Sequence, residues 1–277
     1  MFLKLVRNRM RMKAVCIDFL KRYTGKQSIY LAQRGNKAIY AALKIAKMQG
    51  KEKAIIQDQG GWITYLQYPE QVGLKIVKLP TADALIEPDV LTKHLDSSTV
   101  LLVNSLSGYF VEQPMALISS IAKQKNALLI NDASGSIGTA AARFGDIIIG
   151  SFGEHKPINL MYGGFLATDL HGELAPVDNL QFDQAKMSAL AKELQTLEGR
   201  LHFFEVRRKQ ILNDLLEYDV IHREKNGINI MVAFQDDVEK EKILKYCQRN
   251  NLEWTECPRY IRVMRQAISI EVKRLRP

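Results

Sequence analysis

Short apolar runs alternate with segments of helical periodicity along most of the chain, and this alternation restricts the possible fold more than any other feature. The apolar runs, typical of strands in a covered sheet, lie at residues 28–31, 54–57, 74–79, 100–104, 128–130, 147–150 and 165–168. Helical patterns lie at residues 5–24, 36–48, 63–72, 87–95 and 114–125. Strands joined by helices favour a mostly parallel sheet flanked by helices. We therefore predict an α/β fold, with the run at 165–168 returning antiparallel.

The pattern changes after Pro176. The elements predicted there are a long helical stretch at 182–218 that Gly199 is placed to interrupt, strands at 228–234, 252–255 and 260–272, and a helix at 238–250. This order predicts a small C-terminal α+β domain. We divide the chain into a basic helical arm at 1–27, a large domain at 28–175 and the small domain at 176–277.

A lysine and an aspartate are placed for one kind of cofactor chemistry. Asp132 ends the apolar pattern that begins at Leu128, and Lys156 follows the run at 147–150 in a glycine-flanked loop. Ligands of parallel sheets bind at the carboxyl ends of strands. Pyridoxal phosphate (PLP) requires an amine for its aldehyde, an acid for its pyridine nitrogen and donors for its phosphate. The spacing therefore indicates PLP, with Lys156 as the attachment point and Asp132 as the partner of the protonated nitrogen.

The phosphate of this cofactor requires hydrogen-bond donors, and two segments can supply them. Ser151 lies five residues before Lys156 and offers a hydroxyl group. Arg34, Gly35 and Asn36 stand directly before a helical pattern, where the free amides of a helix N-terminus favour an anion. We expect Ser151 and the helix start to meet at the phosphate.

In sequence order, these segments resemble the DegT/StrS-type sugar aminotransferases, a branch of the fold-type I PLP enzymes. The family's lysine loop reads Ser-Phe-x-x-x-Lys followed by Gly-x-Gly-Gly, and this chain has Ser151 to Lys156 followed by Met161 to Gly164. The family's acid motif, Asp-Ala-Ala-Gln-x-x-Gly, is matched by Asp132 to Gly138, and its Ser-Gly-Thr by Arg34 to Asn36. Trp62 matches the aromatic residue that stacks on the cofactor ring, although a core position is equally open for it.

The resemblance implies the PLP-dependent transferase fold of type I and a set of site residues. The catalytic residues would be Lys156, as Schiff-base lysine and proton carrier, and Asp132. The cofactor-binding residues would be Gly35, Asn36, Trp62, Asp132, Ser134, Ser151 and Lys156. Arg34 and His155 are the candidates for substrate contacts, and a plain loop position stays open for His155. The implied reaction transfers an amino group from an amino-acid donor to a keto sugar, with nucleotide-linked sugars expected, in a homodimer whose sites lie between subunits.

Departures from the family pattern keep a second function open. The glutamine three residues after the acid is Gly135 here, and the family histidine before the acid has no match in Val103 to Ser105. The part after residue 170 is also short for this family. The alternative is a degenerate member that binds PLP or a sugar nucleotide without turnover, as a regulatory or structural partner. A Rossmann-type nucleotide-binding protein is disfavoured, because no GxGxxG follows any strand pattern.

Composition supports these expectations and excludes other classes. The net charge of +9 is concentrated at the two ends of the chain, without a nucleic-acid-binding motif, so it favours an anionic substrate over nucleic acid. The three cysteines form no CxxC pair and no metal-ligand spacing, which indicates a reducing compartment and no metal site. No apolar run reaches the length of a membrane span, and the first residues do not resemble a secretory signal. We expect a cytoplasmic protein.

Overall fold

The structure, a computed structural model, describes residues 2–171 and 174–276, with side chains from Arg11 onward. The helices are α1 Phe2–Thr24, α2 Gly35–Met48, α3 Tyr68–Gln71, α4 Pro88–His94, α5 Met115–Gln124, α6 Met187–Gln195, α7 Leu197–Asp214 and α8 Asp237–Arg249. The strands are β1 Ser28–Ala32, β2 Lys53–Gln57, β3 Lys75–Leu79, β4 Thr99–Asn104, β5 Leu106–Ser107, β6 Val111–Glu112, β7 Leu128–Asp132, β8 Ile147–Ser151, β9 Gly164–Thr168, β10 Ile230–Ala233, β11 Trp254–Cys257 and β12 Ala267–Ile270.

Seven strands form the central sheet, in the order β1-β9-β8-β7-β4-β2-β3. The five strands from β8 to β3 pair in parallel, whereas β9 is antiparallel to both β8 and β1. Every residue of β4 and β7 is buried, because helices cover both faces of the sheet. The prediction of a mostly parallel sheet flanked by helices, with the run at 165–168 returning antiparallel, is confirmed.

Helix α2 is held very close to the sheet at its first turn. The apolar face of α2, which includes Ala38, Ala42 and Ala46, is fully buried. A β carbon on Gly35 would lie 2.6 Å from the β carbon of Ser151, and one on Gly164 would lie 2.9 Å from the Gly35 backbone. Only glycine at these two positions allows such an approach. The N-terminus of α2 is therefore placed directly beside the end of β8.

The C-terminal part forms a three-stranded antiparallel sheet in the order β10-β12-β11, with α8 packed on it. Helix α8 begins where the side chain of Asp236 accepts a hydrogen bond from the amide of Glu239 at 2.8 Å and caps the helix. The predicted strand at 260–272 is wrong in its first part, because only Ala267–Ile270 pairs as a strand. Residues 259–262 make a turn instead, closed by the amide of Arg262 donating to the carbonyl of Arg259.

Two predicted helices are shorter than expected. The stretch at 63–72 is a 3₁₀ turn, Ile63–Leu66, followed by the four residues of α3, because Pro69 cannot continue a preceding helix. The stretch at 182–218 breaks at Thr196 rather than at Gly199, giving α6 and α7. Helix α1 packs its C-terminal half into the core through the buried residues Cys16, Leu20 and Tyr23. Among the described residues, no helix has the length and apolarity needed to cross a membrane.

The buried carboxylate of Glu271 binds several donors and cations in the C-terminal part. Both oxygens of Glu271 accept hydrogen bonds from Arg262, at 2.8 to 3.0 Å, and two further donors are Ser269 and Asn229. The Nζ atom of Lys273 lies 3.5 Å from Oε2 of Glu271. Burial raises the pKa of Glu271, but the charges of Arg262 and Lys273 outweigh it and hold the pKa at about 2.

Replacing this carboxylate is expected to destabilise the protein. Because the folded-state pKa lies below the ordinary value of 4.5, Glu271 stabilises the fold above that value, and this stabilisation is lost as the pH falls toward 2. Glu271→Gln should lower the free energy of unfolding at neutral pH by about 3–5 kcal/mol, since it leaves buried cations uncompensated. Urea unfolding measures this. Glu253→Gln, which breaks an exposed pair with Arg274, should cost about 1 kcal/mol or less; equal losses in both variants would contradict the prediction.

Candidate active site

A cavity of about 250 Å³ opens at the carboxyl ends of β4, β7 and β8. Its walls come from these strand ends, the start of α2, the residue before the 3₁₀ turn at 63–66, and the loop between β8 and β9. The predicted site residues that line it are Arg34, Gly35, Asn36, Trp62, Asp132, Ser134, Ser151 and Lys156. Predicted residues from four separate stretches of sequence thus meet where parallel sheets bind their ligands.

Asp132 is the buried acid of the cavity. It ends β7, only 4% of it is exposed, and both of its carboxylate oxygens are engaged. Oδ2 accepts a hydrogen bond from the hydroxyl of Tyr65 at 2.6 Å, and Oδ1 accepts one from the amide of Ser134 at 2.9 Å. Burial, with the neighbouring carboxylate second, raises the pKa of Tyr65 well above its ordinary value, so Tyr65 keeps its proton and donates. The carboxylate is therefore fixed in orientation.

Lys156 lies at the same cavity, on the loop after β8. Its Nζ donates a hydrogen bond to the phenol oxygen of Tyr109 and lies 5.2 Å from the centre of the Trp62 ring. Trp62 is held by its indole nitrogen, which donates to Oδ1 of Asn36 at 2.9 Å. Two predicted site residues, Asn36 and Trp62, thus contact each other, and the indole is fixed beside the lysine amine.

The first turn of α2 and the end of β8 form a polar corner. The first amides of an α-helix have no partner within the helix, and Arg34 gives this helix no side-chain cap. Oγ of Ser151 accepts from the amide of Gly153 at 3.2 Å, which leaves its own proton free to donate. Oγ of Ser134 accepts from the amide of Ser151 at 2.9 Å and holds the strand end in place. This corner offers donors and a helix N-terminus to an anion.

The two candidates for substrate contacts are placed differently. Arg34 is exposed and lines the cavity. Its backbone pairs with that of Gly163 in an isolated parallel β-bridge. His155 does not line the cavity; its Nε2 lies 3.5 Å from a carboxylate oxygen of Glu154, and its amide donates to the side chain of Asn159 at 3.1 Å. A substrate role for His155 stays a prediction.

Three side chains at the site were missed by sequence reasoning. Asn104 lines the cavity at the end of β4, in register with Asp132, and the rule that ligands bind at strand ends could have indicated it. Tyr109 follows Gly108 in the turn between β5 and β6, and its backbone has a positive φ of 67°. Tyr65 lies in the short 3₁₀ turn at 63–66, where no sequence signal marked it.

The arrangement fits PLP by its donor set. A buried carboxylate, an amine and an aromatic ring occupy the inner part of the cavity, while a hydroxyl and a helix N-terminus form a corner of it. The close approach of Gly35 to Ser151 brings the helix amides and the hydroxyl to the same point. Asp132 and Lys156 would hold the ring nitrogen and the aldehyde, and Ser151 with the α2 amides would hold the phosphate. Among the described side chains, those of residues 11–171 and 174–276, no cluster of metal-ligating groups is present.

Solved structures with the same fold include several PLP enzymes. A DegT DnrJ EryC1 StrS aminotransferase from Brucella abortus has a TM-score of 0.74 at 14% identity, covering 94% of this chain and 84% of that one. 3-Amino-5-hydroxybenzoic acid synthase has a TM-score of 0.72 at 14% identity, covering 95% and 86%. A serine palmitoyltransferase from S. paucimobilis with bound PLP has a TM-score of 0.70 at 12% identity, covering 96% and 73%. At these identities the likeness shows the fold alone.

Two family models match adjacent parts of the sequence. The model named MJ1341 family C-terminal domain matches residues 202–277. No curated protein matches the chain in sequence. The model of the DegT/DnrJ/EryC1/StrS aminotransferases matches residues 18–182, which include every predicted site residue from Arg34 to Lys156. The chain belongs to the DegT/DnrJ/EryC1/StrS aminotransferase family.

Proposed function

We propose that this protein is a PLP-dependent aminotransferase that transfers an amino group from an amino-acid donor to a keto sugar, with a nucleotide-linked sugar as the expected substrate. The observation that carries the proposal is that the Lys156 amine and the buried Asp132 carboxylate line one cavity, together with the N-terminus of α2. An amine, an acid and an anion site are the three groups that this cofactor requires.

The roles of the residues follow from their positions. When bound, PLP supplies an aldehyde that takes up the amino group of the donor, and a ring that withdraws electrons from the donor carbon that bears this amino group. Lys156 Nζ removes the proton from this donor carbon and later returns a proton, acting as general base and then as general acid. Asp132 holds a proton on the ring nitrogen, and its hydrogen bonds from Tyr65 and Ser134 keep the carboxylate aimed. The Trp62 indole provides one wall for the ring.

The surface beside the cavity supports an anionic substrate. A groove that shares Arg34 and Asn36 with the cavity continues along α2, where it is lined by Lys37, Lys44, Tyr40 and Tyr68. Cations and aromatic rings of this kind suit phosphates and a planar base. A homodimer with sites completed across the subunit interface is part of the proposal, as is a cytoplasmic location, which the three free cysteines support.

Purified protein mixed with PLP and then with amino acids tests the function. We expect visible absorbance that borohydride fixes to Lys156, and loss of that absorbance when the correct amino donor is added. Keto-sugar nucleotides should restore it. Protein that binds PLP at Lys156 but responds to no amino donor and to no keto sugar would contradict turnover.

That outcome would favour the second candidate, a member of the family that binds PLP without catalysis. Two observations support it. Gly135 replaces a glutamine of the family motif, and the last part of the chain matches a different family model from the aminotransferase part.

Ser151→Ala is expected to weaken PLP binding by about 1–3 kcal/mol, because a hydrogen bond to a charged phosphate is lost. Equilibrium titration of the protein with PLP measures the change. Ser136→Ala removes a buried hydroxyl that bonds to Ser105 outside the cavity, and it should leave the dissociation constant unchanged. Identical constants for wild type and Ser151→Ala would remove Ser151 from the phosphate site.

Substrate binding is expected to weaken as salt rises, because at 0.1 M salt the attraction between exposed charges more than about 10 Å apart is already largely screened. Titration of a nucleotide-sugar at increasing salt measures this. Replacing Lys37 and Lys44 by glutamine should reduce the salt dependence.

The proposed homodimer is tested separately. Light scattering measures the mass of the particle, and a monomer that turns over substrate would contradict a site shared between subunits.

A further inference from the structure

Tyr109 is surrounded by three cations that come from two parts of the chain. The Nζ atoms of Lys156 and Lys273 each lie 4.5 Å from the centre of its ring, and the guanidinium carbon of Arg262 lies 5.3 Å from it. The ring is nearly buried and packs on Gly135, where a β carbon would lie 3.0 Å from two ring atoms. Tyr109 therefore links the loop of Lys156 with the C-terminal part.

Lys273 is itself buried beside the Lys156 loop. It lies in the short 3₁₀ turn Val272–Arg274, and its Nζ donates to the carbonyl of His155, the residue before Lys156, at 3.4 Å. Its charge partner is Glu271, at 3.5 Å, which Arg262 already engages through two nitrogens. A single carboxylate is thus shared by more than one cation.

The charge state of Lys273 responds to this environment. Burial lowers its pKa to about 7; Glu271 opposes the shift, while the charges of Lys156, Arg262 and Arg274 add to it. Lys156 and Lys273 therefore repel each other when both are charged. The His155 carbonyl that Lys273 contacts, and the Tyr109 ring that it shares with Lys156, place this charge close to the Lys156 amine.

We infer that Lys273, from the C-terminal part, is a positioning residue of the Lys156 site: it holds the Lys156 loop through the His155 carbonyl and places a positive charge near the amine that attacks the PLP aldehyde. This inference rests on the proposed covalent attachment of PLP at Lys156. It assigns the region after residue 202 a direct part in the chemistry of the aminotransferase region.

The rate of PLP attachment as a function of pH tests the inference. Wild type, Lys273→Met and Lys273→Arg are mixed with PLP between about pH 6 and about pH 9, and the adduct is fixed with borohydride and counted at Lys156. At the acid end, Lys273→Met should react roughly 3- to 10-fold more slowly than wild type, since it lacks the positive charge. This difference should vanish at the alkaline end, where Lys273 is neutral.

Lys273→Arg gives the opposite expectation. Arginine stays charged throughout this range, so this variant should match wild type at the acid end and exceed it at the alkaline end. Lys245→Met, which removes an exposed lysine of α8 that pairs with Glu241, is the control for loss of a positive charge and should keep the wild-type profile. Circular dichroism checks that all variants fold.

Two failures are distinguishable. If wild type forms no adduct at Lys156, the proposed function fails and the inference with it. If wild type forms the adduct, but Lys273→Met and Lys273→Arg differ from it by the same factor at every pH or do not differ at all, Lys273 has only a structural role and the inference is overturned. The same change of profile in Lys245→Met would show that loss of any positive charge is sufficient, and would also overturn the inference.

Discussion

Lys156→Ala is expected to abolish covalent attachment of PLP and to lower the transamination rate by roughly 10²–10⁴-fold, the range typical for loss of a general acid–base group. The amine that contacts Tyr109 and lies beside Trp62 is removed, whereas Asp132 and the polar corner at α2 remain. PLP should still bind, but without an imine bond that borohydride can reduce. Absorbance spectra, borohydride reduction and peptide mapping measure these effects.

The matched control for labelling is the neighbouring Lys273, which lies at the same distance from the Tyr109 ring. Its peptide should carry no label in wild type. Label at Lys273, or full activity in Lys156→Ala, would show that Lys156 is not the attachment point.

Asp132→Asn is expected to lower turnover by roughly 10²–10³-fold, as found when a preorganised electrostatic partner is removed from a site. An amide cannot hold the proton on the ring nitrogen. Its size is kept, its oxygen can still accept from the Ser134 amide, and its NH2 group can donate to the Tyr65 oxygen in place of the bond that Tyr65 now donates. PLP affinity should therefore change much less than turnover. Steady-state kinetics and PLP titration of the same preparation separate the two quantities.

Tyr65→Phe is the control, because it keeps the carboxylate and removes one hydrogen bond to it. The loss of transition-state stabilisation in Tyr65→Phe should be about 1.5–3 kcal/mol or less, as for a single hydrogen bond to a charged group. If Tyr65→Phe reduced turnover as much as Asp132→Asn does, the effect at residue 132 would reflect orientation and not charge. Unchanged turnover in Asp132→Asn would refute the role of the acid.

The central sheet could be predicted from sequence because its strands carry their own signal. Strands β4, β7 and β8 are buried along their length, so each reads as an unbroken apolar run that ends in a polar residue. Asp132 and Ser151 stand at such ends, and they were predicted for that reason. The start of α2 was equally clear, since Gly35 precedes a strict apolar periodicity.

The residues contributed by irregular segments could not be predicted in the same way. Tyr109 reaches the site through a three-residue turn, residues 108–110, with positive φ at both Gly108 and Tyr109, a geometry that the pairing of β5 and β6 imposes. Lys273 reaches it from more than one hundred residues away, and only the packing of the C-terminal part on the Lys156 loop determines this. A basic residue near the end of a basic chain gave no sign that it is buried.

The hydrogen bonds of Glu271 make the stability of the C-terminal part largely independent of the charge at residue 273. Arg262, Ser269 and Asn229 occupy its two oxygens at 2.8 to 3.0 Å, so the carboxylate has partners whether or not residue 273 carries a charge. We therefore expect substitutions at residue 273 to cost less stability than the loss of Glu271. A change at residue 273 could then alter how the proposed reaction depends on pH, while the pair of Glu271 and Arg262 continues to hold the C-terminal core together.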